Sequence, residues 1–208
     1  MARAIRAAKV RLFPGSQAYW EQRYAKGGTS GPGSYDIYAD FKATTLNRIV
    51  SDNEIDSVIE LGCGDGNQLS LAEYPRYLGL DVSGSAIDLC IHRFAGDESK
   101  SFMLYEPERF INQGWLVADM SISLDVILHL VEDDIFERYM ETLFGIGRKL
   151  VVIFGEDVGD QRPHSTDRYR DWPAWVREHH PDWTLSERID NPHKGENTLA
   201  DFFVFRPA

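Results

Sequence analysis

The sequence predicts an α/β fold: a seven-stranded, mostly parallel sheet with a reversed last strand and helices on both faces. Three observations carry this. Short apolar runs alternate with stretches of helical periodicity from residue 36 onward, which implies crossover helices and a parallel sheet. The run Val58 to Asn67, Val-Ile-Glu-Leu-Gly-Cys-Gly-Asp-Gly-Asn, is an apolar strand that breaks into glycines at 62, 64 and 66. The last two strand-like runs have no helix between them, so they pair antiparallel.

Gln17 to Lys26, rich in Tyr, Trp and charge, reads as a short amphipathic helix stopped by Gly27-Gly28. Gly27 to Tyr35 carries four glycines and one proline and holds no regular structure; it is either a linker or a lid. Residues 1–35 therefore precede one domain spanning 36–208. Asp36 to Ser51 places Phe41, Leu46, Ile49 and Val50 at helical spacing after an Asp cap. Strand one is Ser57 to Leu61, followed by a short helix at Gln68 to Glu73. Strand two is Tyr77 to Leu80, helix Ser83 to Phe94 follows, and strand three is Ser101 to Tyr105. Strand four reads as Ser121 to Leu128, with Ser121 and Ser123 leaving its register open and Asp119 near its start. Glu132 to Phe144 is an amphipathic helix and Lys149 to Phe154 a buried strand five. Trp172 to His180 forms a helix, and Trp183 to Ile189 and Leu199 to Phe205 are the terminal pair.

The chain has 208 residues, 43% of them hydrophobic, which suits one domain with a sizeable core. Its net charge of −11 argues against a nucleic-acid partner and favours a small, neutral or modestly charged acceptor. Two cysteines, Cys63 and Cys90, are too few for a disulfide scaffold and lack zinc spacing, so a reducing cytoplasm is the expected location. Met1 to Leu12 is basic, but Arg3, Arg6, Lys9 and Arg11 interrupt any apolar core of a signal peptide, and no stable membrane insertion is expected.

The glycine run carries the functional signal. Alternating glycines after a buried strand bring bare backbone N–H groups up to a ligand. A dinucleotide site would want G-x-G-x-x-G, whereas Asn67 stands where the third glycine would fall. Glu60, two residues before the first glycine, suits a ligand ammonium and opposes a pyrophosphate. Asp81, 21 positions beyond Glu60 in Tyr77-Leu-Gly-Leu-Asp-Val-Ser83, sits where Rossmann-like sites place the acid that bonds ribose hydroxyls. It could instead merely cap the helix near Ser83.

Together these segments resemble the class I S-adenosylmethionine-dependent methyltransferases, whose first motif E-x-G-x-G-x-G holds the amino-acid end of the cofactor. The resemblance runs from about residue 36 to the end. It implies a cofactor site of Glu60, Gly62, Cys63, Gly64, Gly66, Asp81 and Val82, with Glu106 (and Glu108) after strand three facing the adenine. Leu124 to Asp133 resembles the D-V-I-x-H-L segment of small-molecule methyltransferases. Asp125 and His129 are accordingly the catalytic candidates, His129 as the base that takes the proton of an acceptor hydroxyl. His129 could also only shape the start of the next helix.

In metal-assisted O-methyltransferases, carboxylates after strands four and five hold a magnesium ion. Glu156 and Asp157 supply the second pair, while His129 replaces the first Asp and is a poorer magnesium ligand. They could equally form an acidic loop. Tyr35, His164, Arg168 and Tyr169, with Trp172 and Trp175 nearby, are candidate contacts to a polyhydroxylated acceptor, unless the tryptophans are core. The pattern is similar to bacterial methyltransferases of sugar and polysaccharide biosynthesis, which implies a saccharide hydroxyl as acceptor. The alternatives are a carboxylate (fatty acid) O-methyltransferase, a non-catalytic S-adenosylmethionine-binding regulatory module and, disfavoured by the glycine spacing, a nicotinamide oxidoreductase. Whether the chain forms a homodimer is left open.

Overall fold

The computed structural model describes residues 13–157, 159, 166–195 and 198–208; the basic stretch Met1 to Leu12 and His164 lie outside them. One sheet contains β1 (Val58–Leu61), β2 (Tyr77–Asp81), β3 (Lys100–Leu104), β4 (Ala118–Leu124), β5 (Gly147–Gly155), β6 (Trp183–Ile189) and β7 (Asp201–Pro207). Their order is β3-β2-β1-β4-β5-β7-β6. β1 to β5 pair in parallel, and β7 lies antiparallel to both β5 and β6, so the reversed last strand is as expected. The helices are α1 (Ser16–Ala25), α2 (Asp36–Asp52), α3 (Gly84–Arg93), α4 (Asp133–Ile146) and α5 (Trp172–His179). None of the described helices is long and apolar enough to cross a membrane.

The two-residue period of the strands sorts the core into two layers. Leu150, Val152 and Phe154 of β5 and Phe202 and Val204 of β7 pack with Leu46, Ile49 and Val50 of α2 and with Ile87 and Cys90 of α3. Val151, Ile153, Phe203 and Phe205 face the other way, towards Phe136, Met140, Leu143 and Phe144 of α4 and towards Trp172 and Val176 of α5. Both cysteines are free and buried.

Two elements differ from expectation. β4 starts at Ala118 and ends at Leu124, because Asp125 turns into the left-handed region (φ 58°), which no strand can continue through. The segment expected to extend β4 is a 3-10 turn, Ile127–His129. The short helix expected over Gln68 to Glu73 is likewise one 3-10 turn, Gln68–Leu71. Ser121 and Ser123 point at α4, where polar side chains are tolerated because each is bonded. Ser121 Oγ donates to Leu143 O at 2.7 Å, and Ser123 Oγ lies 2.7 Å from the Tyr139 hydroxyl. Tyr139 also donates to Leu61 O at 2.8 Å, so one phenol ties α4 to the ends of β1 and β4.

Tyr139→Phe leaves buried Leu61 O and Ser123 Oγ short of a partner. It should cost about 1–3 kcal/mol of stability in denaturant unfolding. An unchanged midpoint would mean that this hydroxyl does not hold the layers together.

Candidate active site

Strand order reverses between β1 and β4, and ligands of open α/β sheets bind beyond the strand ends at such a point. A cavity of about 700 Å³ opens there. Its floor is the glycine loop. Gly62 has φ 86°, and a Cβ on it would sit 2.5 Å from Val126 Cγ2; Gly64 has φ 58°, and a methyl there would run into Ser30 and Tyr24. Both positions therefore require glycine.

Alternation along β1 places Glu60 on the same face as Val58, towards α2, where its carboxyl is 4% exposed. Burial pushes its pKa up to about 7, against the downward pull of the Tyr77 hydroxyl and of Lys42. Tyr77 donates to Glu60 Oε2 at 2.5 Å. Asp81 ends β2 and is also raised, to about 6, by burial, although Gly64 N–H donates to Oδ2 and Ser83 N–H to Oδ1, both at 2.9 Å. Lys42 of α2 is wholly buried, and its ammonium sits 2.9 Å from Asp125 Oδ2.

The N-terminal segment covers the cavity. The first turn of α1 docks on the loop after β4: Ser16 N–H donates to Glu132 Oε1 at 2.9 Å, and Val131 N–H donates to Ser16 Oγ at 3.1 Å. The carboxylate thus caps a helix N-terminus. Glu21 reaches across to α3, accepting from the Ser83 and Ser85 hydroxyls at 2.7 Å each, and these bonds hold its pKa below the ordinary value. Residues 27–35 contain one 3-10 turn, Pro32–Ser34, and lie as a strap on the glycine loop. Asp65 is the fastening. Ser30 N–H (2.9 Å) and the Tyr35 hydroxyl (2.7 Å) donate to its Oδ2, and Asn67 Nδ2 donates to Ser34 O at 2.8 Å. Burial acts to raise the Asp65 pKa, but these bonds outweigh it and hold the group low.

Glu60, Gly62, Cys63, Gly64, Asp81, Val82, Asp125 and His129 all line the cavity. His129 Nδ1 is 2.8 Å from Asp167 Oδ1, and its ring meets Trp20 edge-on at 5.0 Å between centroids. Gly66 backs the loop, where a Cβ would press on Phe94 and Cys90. The other candidates lie elsewhere. Glu106 turns to Arg109 at 3.2 Å, and Glu108 lines the cavity in its place. Asp125, on the cavity wall, also pairs with Lys42 at 2.9 Å. Tyr35 fastens the strap, and Arg168 pairs with Asp133 at 2.7 Å. Tyr169 packs beside Glu156, and burial first, then that carboxylate, raises its pKa. Trp172 is core.

The expected magnesium pair does not form a donor set. Glu156 Oε1 accepts from Leu199 N–H at 3.1 Å, and Asp157 faces Arg188 at 3.6 Å. Among the described residues no group of three or more His, Cys, Asp or Glu side chains converges on a point.

Sequence reasoning missed Lys42, Trp20, Tyr24 and Gln68. Lys42 had a legible signal: it lies on the buried stripe of α2 with Ala39, Leu46 and Ile49, where a charge requires a partner. Trp20 and Tyr24 stand four apart on α1, but nothing in the sequence says which surface that helix covers.

Solved structures of the same architecture include the N-methyltransferase NodS from Bradyrhizobium japonicum WM9 with S-adenosyl-L-homocysteine. It has a TM-score of 0.68 and 16% identity over 92% of this chain and 98% of that one. The magnesium protoporphyrin IX methyltransferase from Synechocystis PCC 6803 with bound SAH aligns over the whole of both chains, with a TM-score of 0.66 and 11% identity. The DhpI–SAH complex gives 0.63 and 20% over 95% and 97%. No protein-family model matches the sequence, and no curated protein matches it. At these identities the likeness is one of fold: the chain has the fold of S-adenosylmethionine-dependent methyltransferases.

The buried acid at position 60 makes a pH-dependent prediction. Glu60 titrates at about 7 in the folded chain against an ordinary 4.5, so between these values the folded state keeps a proton that the unfolded state has released. Glu60 therefore destabilises the empty protein increasingly as pH rises from 4.5 to 7, by on the order of 3 kcal/mol at the upper plateau. Glu60→Gln should raise Tm by roughly 6–12 °C at pH 8, with the gain shrinking towards pH 5. A gain that ignores pH, or a loss at pH 8, would contradict this.

Proposed function

We propose that this chain is an S-adenosylmethionine-dependent O-methyltransferase that methylates a hydroxyl of a small, carbohydrate-like acceptor. The observation that carries the reading is the His129–Asp167 pair at 2.8 Å, on the wall of the same cavity that holds Glu60, Asp81 and the glycine cradle. Cβ atoms at Gly62 and Gly64 would fill that cradle, and a buried acid stands at each end of it, which fits a ligand with an ammonium at one end and ribose hydroxyls at the other. Bound there, S-adenosylmethionine supplies a methyl group activated on a sulfonium.

The chain's own residues do the rest. Asp167 accepts the Nδ1 proton of His129, which fixes the tautomer with a free lone pair on Nε2. Nε2 takes the acceptor's hydroxyl proton as the oxygen–carbon bond forms, so His129 ends as an imidazolium that Asp167 steadies. Trp20 supplies apolar wall to sugar C–H groups, and Gln17 and Glu108 line the same cavity as polar partners for hydroxyls. The roof of α1 and the strap cover the site.

The sugar acceptor rests on sequence. Gly27 to Tyr35, Asp125 to Asp133 and the late His164-x-x-x-Arg168 are similar to the mycobacterial 1-O-methyltransferase of methylmannose polysaccharide synthesis. That similarity implies a short methylated mannoside as acceptor and its 1-OH as the atom methylated.

Transfer of a labelled methyl group to a panel of mono- and oligosaccharides tests this. His129→Gln should lower kcat by about 10²–10⁴-fold with little change in the acceptor KM. A variant that keeps its full rate would point to a carboxylate acceptor, already ionised and in need of no base. Absence of turnover with every acceptor would favour a non-catalytic binding module.

A further inference from the structure

Arg170 is a buried cation just ahead of α5, and it grips the segment that carries His129. It is 8% exposed. Nη1 donates to Leu130 O at 2.5 Å and Nη2 to Val131 O at 3.1 Å, while Asp133 Oδ1 answers the charge at 3.0 Å. The guanidinium lies 4.6 Å from the centre of the Phe136 ring in α4. Those two carbonyls fall between the 3-10 turn Ile127–His129 and α4, where no helix supplies them with donors. One planar fork spans both of them and a carboxylate, which a single ammonium cannot do.

The same two segments meet again beside it. Arg168 N–H donates to Leu128 O at 2.7 Å and Arg168 Nη1 to Val131 O at 3.2 Å, and Asp167 Oδ1 lies 2.8 Å from His129 Nδ1. The Asp167 side chain is 30% exposed, so water competes for its carboxylate. Such a group stays on its partner only where the backbone beneath it is held. The bond to Leu128 alone would let the segment pivot. The second attachment, two residues on at Arg170, removes that freedom.

We propose that Arg170 is a positioning residue for the reaction. By clamping residues 166–171 to the turn after β4, it holds Asp167 against His129 Nδ1 and so keeps the proton-accepting lone pair on Nε2. Arg170 itself does not line the cavity and acts only through this pair. The assignment rests on the reading of His129 as the base and adds to it a residue remote from cofactor and acceptor.

Nitrogen-15 NMR of the histidine rings, which separates a protonated ring nitrogen from a bare one, tests this without turnover. Neutral His129 should carry its proton on Nδ1 in the wild-type chain, and Arg170→Met should move a large share of it to Nε2, as Asp167→Ala does. With an acceptor that turns over, Arg170→Met should lower kcat about 10–100-fold at unchanged acceptor KM. Adding it to Asp167→Ala should cost no more than about twofold beyond Asp167→Ala alone. Trp172, 1% exposed, keeps α5 seated in the core without Arg170. Should the Met variant fail to fold, Arg170→Lys keeps the charge but not the fork and should show the same proton shift. A proton that stays on Nδ1 in the variant that folds, or losses that simply add, would make Arg170 a structural residue and overturn the proposal. A wild-type His129 protonated on Nε2 overturns the reading of His129 as the base, and this assignment with it.

Discussion

The constraint on which the site depends is the burial of two carboxyl groups, Glu60 and Asp81, at the ends of adjacent strands β1 and β2. Burial opposes the charge on each, and both pKa values rise for that reason. The surroundings answer only in part. Tyr77 donates to Glu60, while the N–H groups of Gly64 and Ser83 divide the oxygens of Asp81. Because side chains alternate along β1, Glu60 cannot turn outward without moving Ile59 and Leu61 off the α4 layer. The sheet therefore holds an acid in an apolar layer, a strain that the proposed cationic ligand would relieve. Stability traded for a preformed site is a common arrangement in proteins that bind tightly.

The N-terminal segment covers the cavity that the pair lines. The roof helix α1 is anchored at its first turn by Glu132 and in its middle by Glu21, whose carboxylate meets the Ser83 and Ser85 hydroxyls beside Asp81. The strap of residues 27–35 is pinned through Asp65 and passes so close to the loop that Gly64 admits no side chain. Low local dielectric strengthens the bonds inside, and it raises the cost of leaving the chamber empty. The same enclosure sets His129 between Trp20, edge-on at 5.0 Å, and Asp167, 2.8 Å from its Nδ1.

The sheet was legible in the sequence because its signals are local. Continuous Val, Ile and Leu runs, glycines after β1 and the missing helix before β7 each follow from the chain alone. Glu60, Gly62, Gly64 and Asp81 were legible for the same reason: each lies within a few residues of the strand that positions it. Contacts between distant segments were not legible. Asp167 lies on a loop far along the chain from His129, and no periodicity connects them. Lys42 reaches Asp125, and Gln68 the carbonyl of Ala39, only once α2 has packed on the loop behind β1. Of Glu106 and Glu108, the turn beyond edge strand β3 directs the first to Arg109 and the second into the cavity wall, a choice no local pattern encodes. Glu156 and Asp157 follow β5 as expected, yet the terminal segment claims both through Leu199 and Arg188.

Carbon-detected NMR titration of the Glu60 carboxyl, in the empty protein and after addition of S-adenosylhomocysteine, tests the buried-acid constraint most directly. Glu60 should titrate near 7 when the site is empty and fall to the ordinary carboxylate range when it is filled, as the ligand's ammonium stabilises the charge. An empty-state value near 4.5, or a value that rises on filling, would contradict the view that the fold buries Glu60 in readiness for a cation.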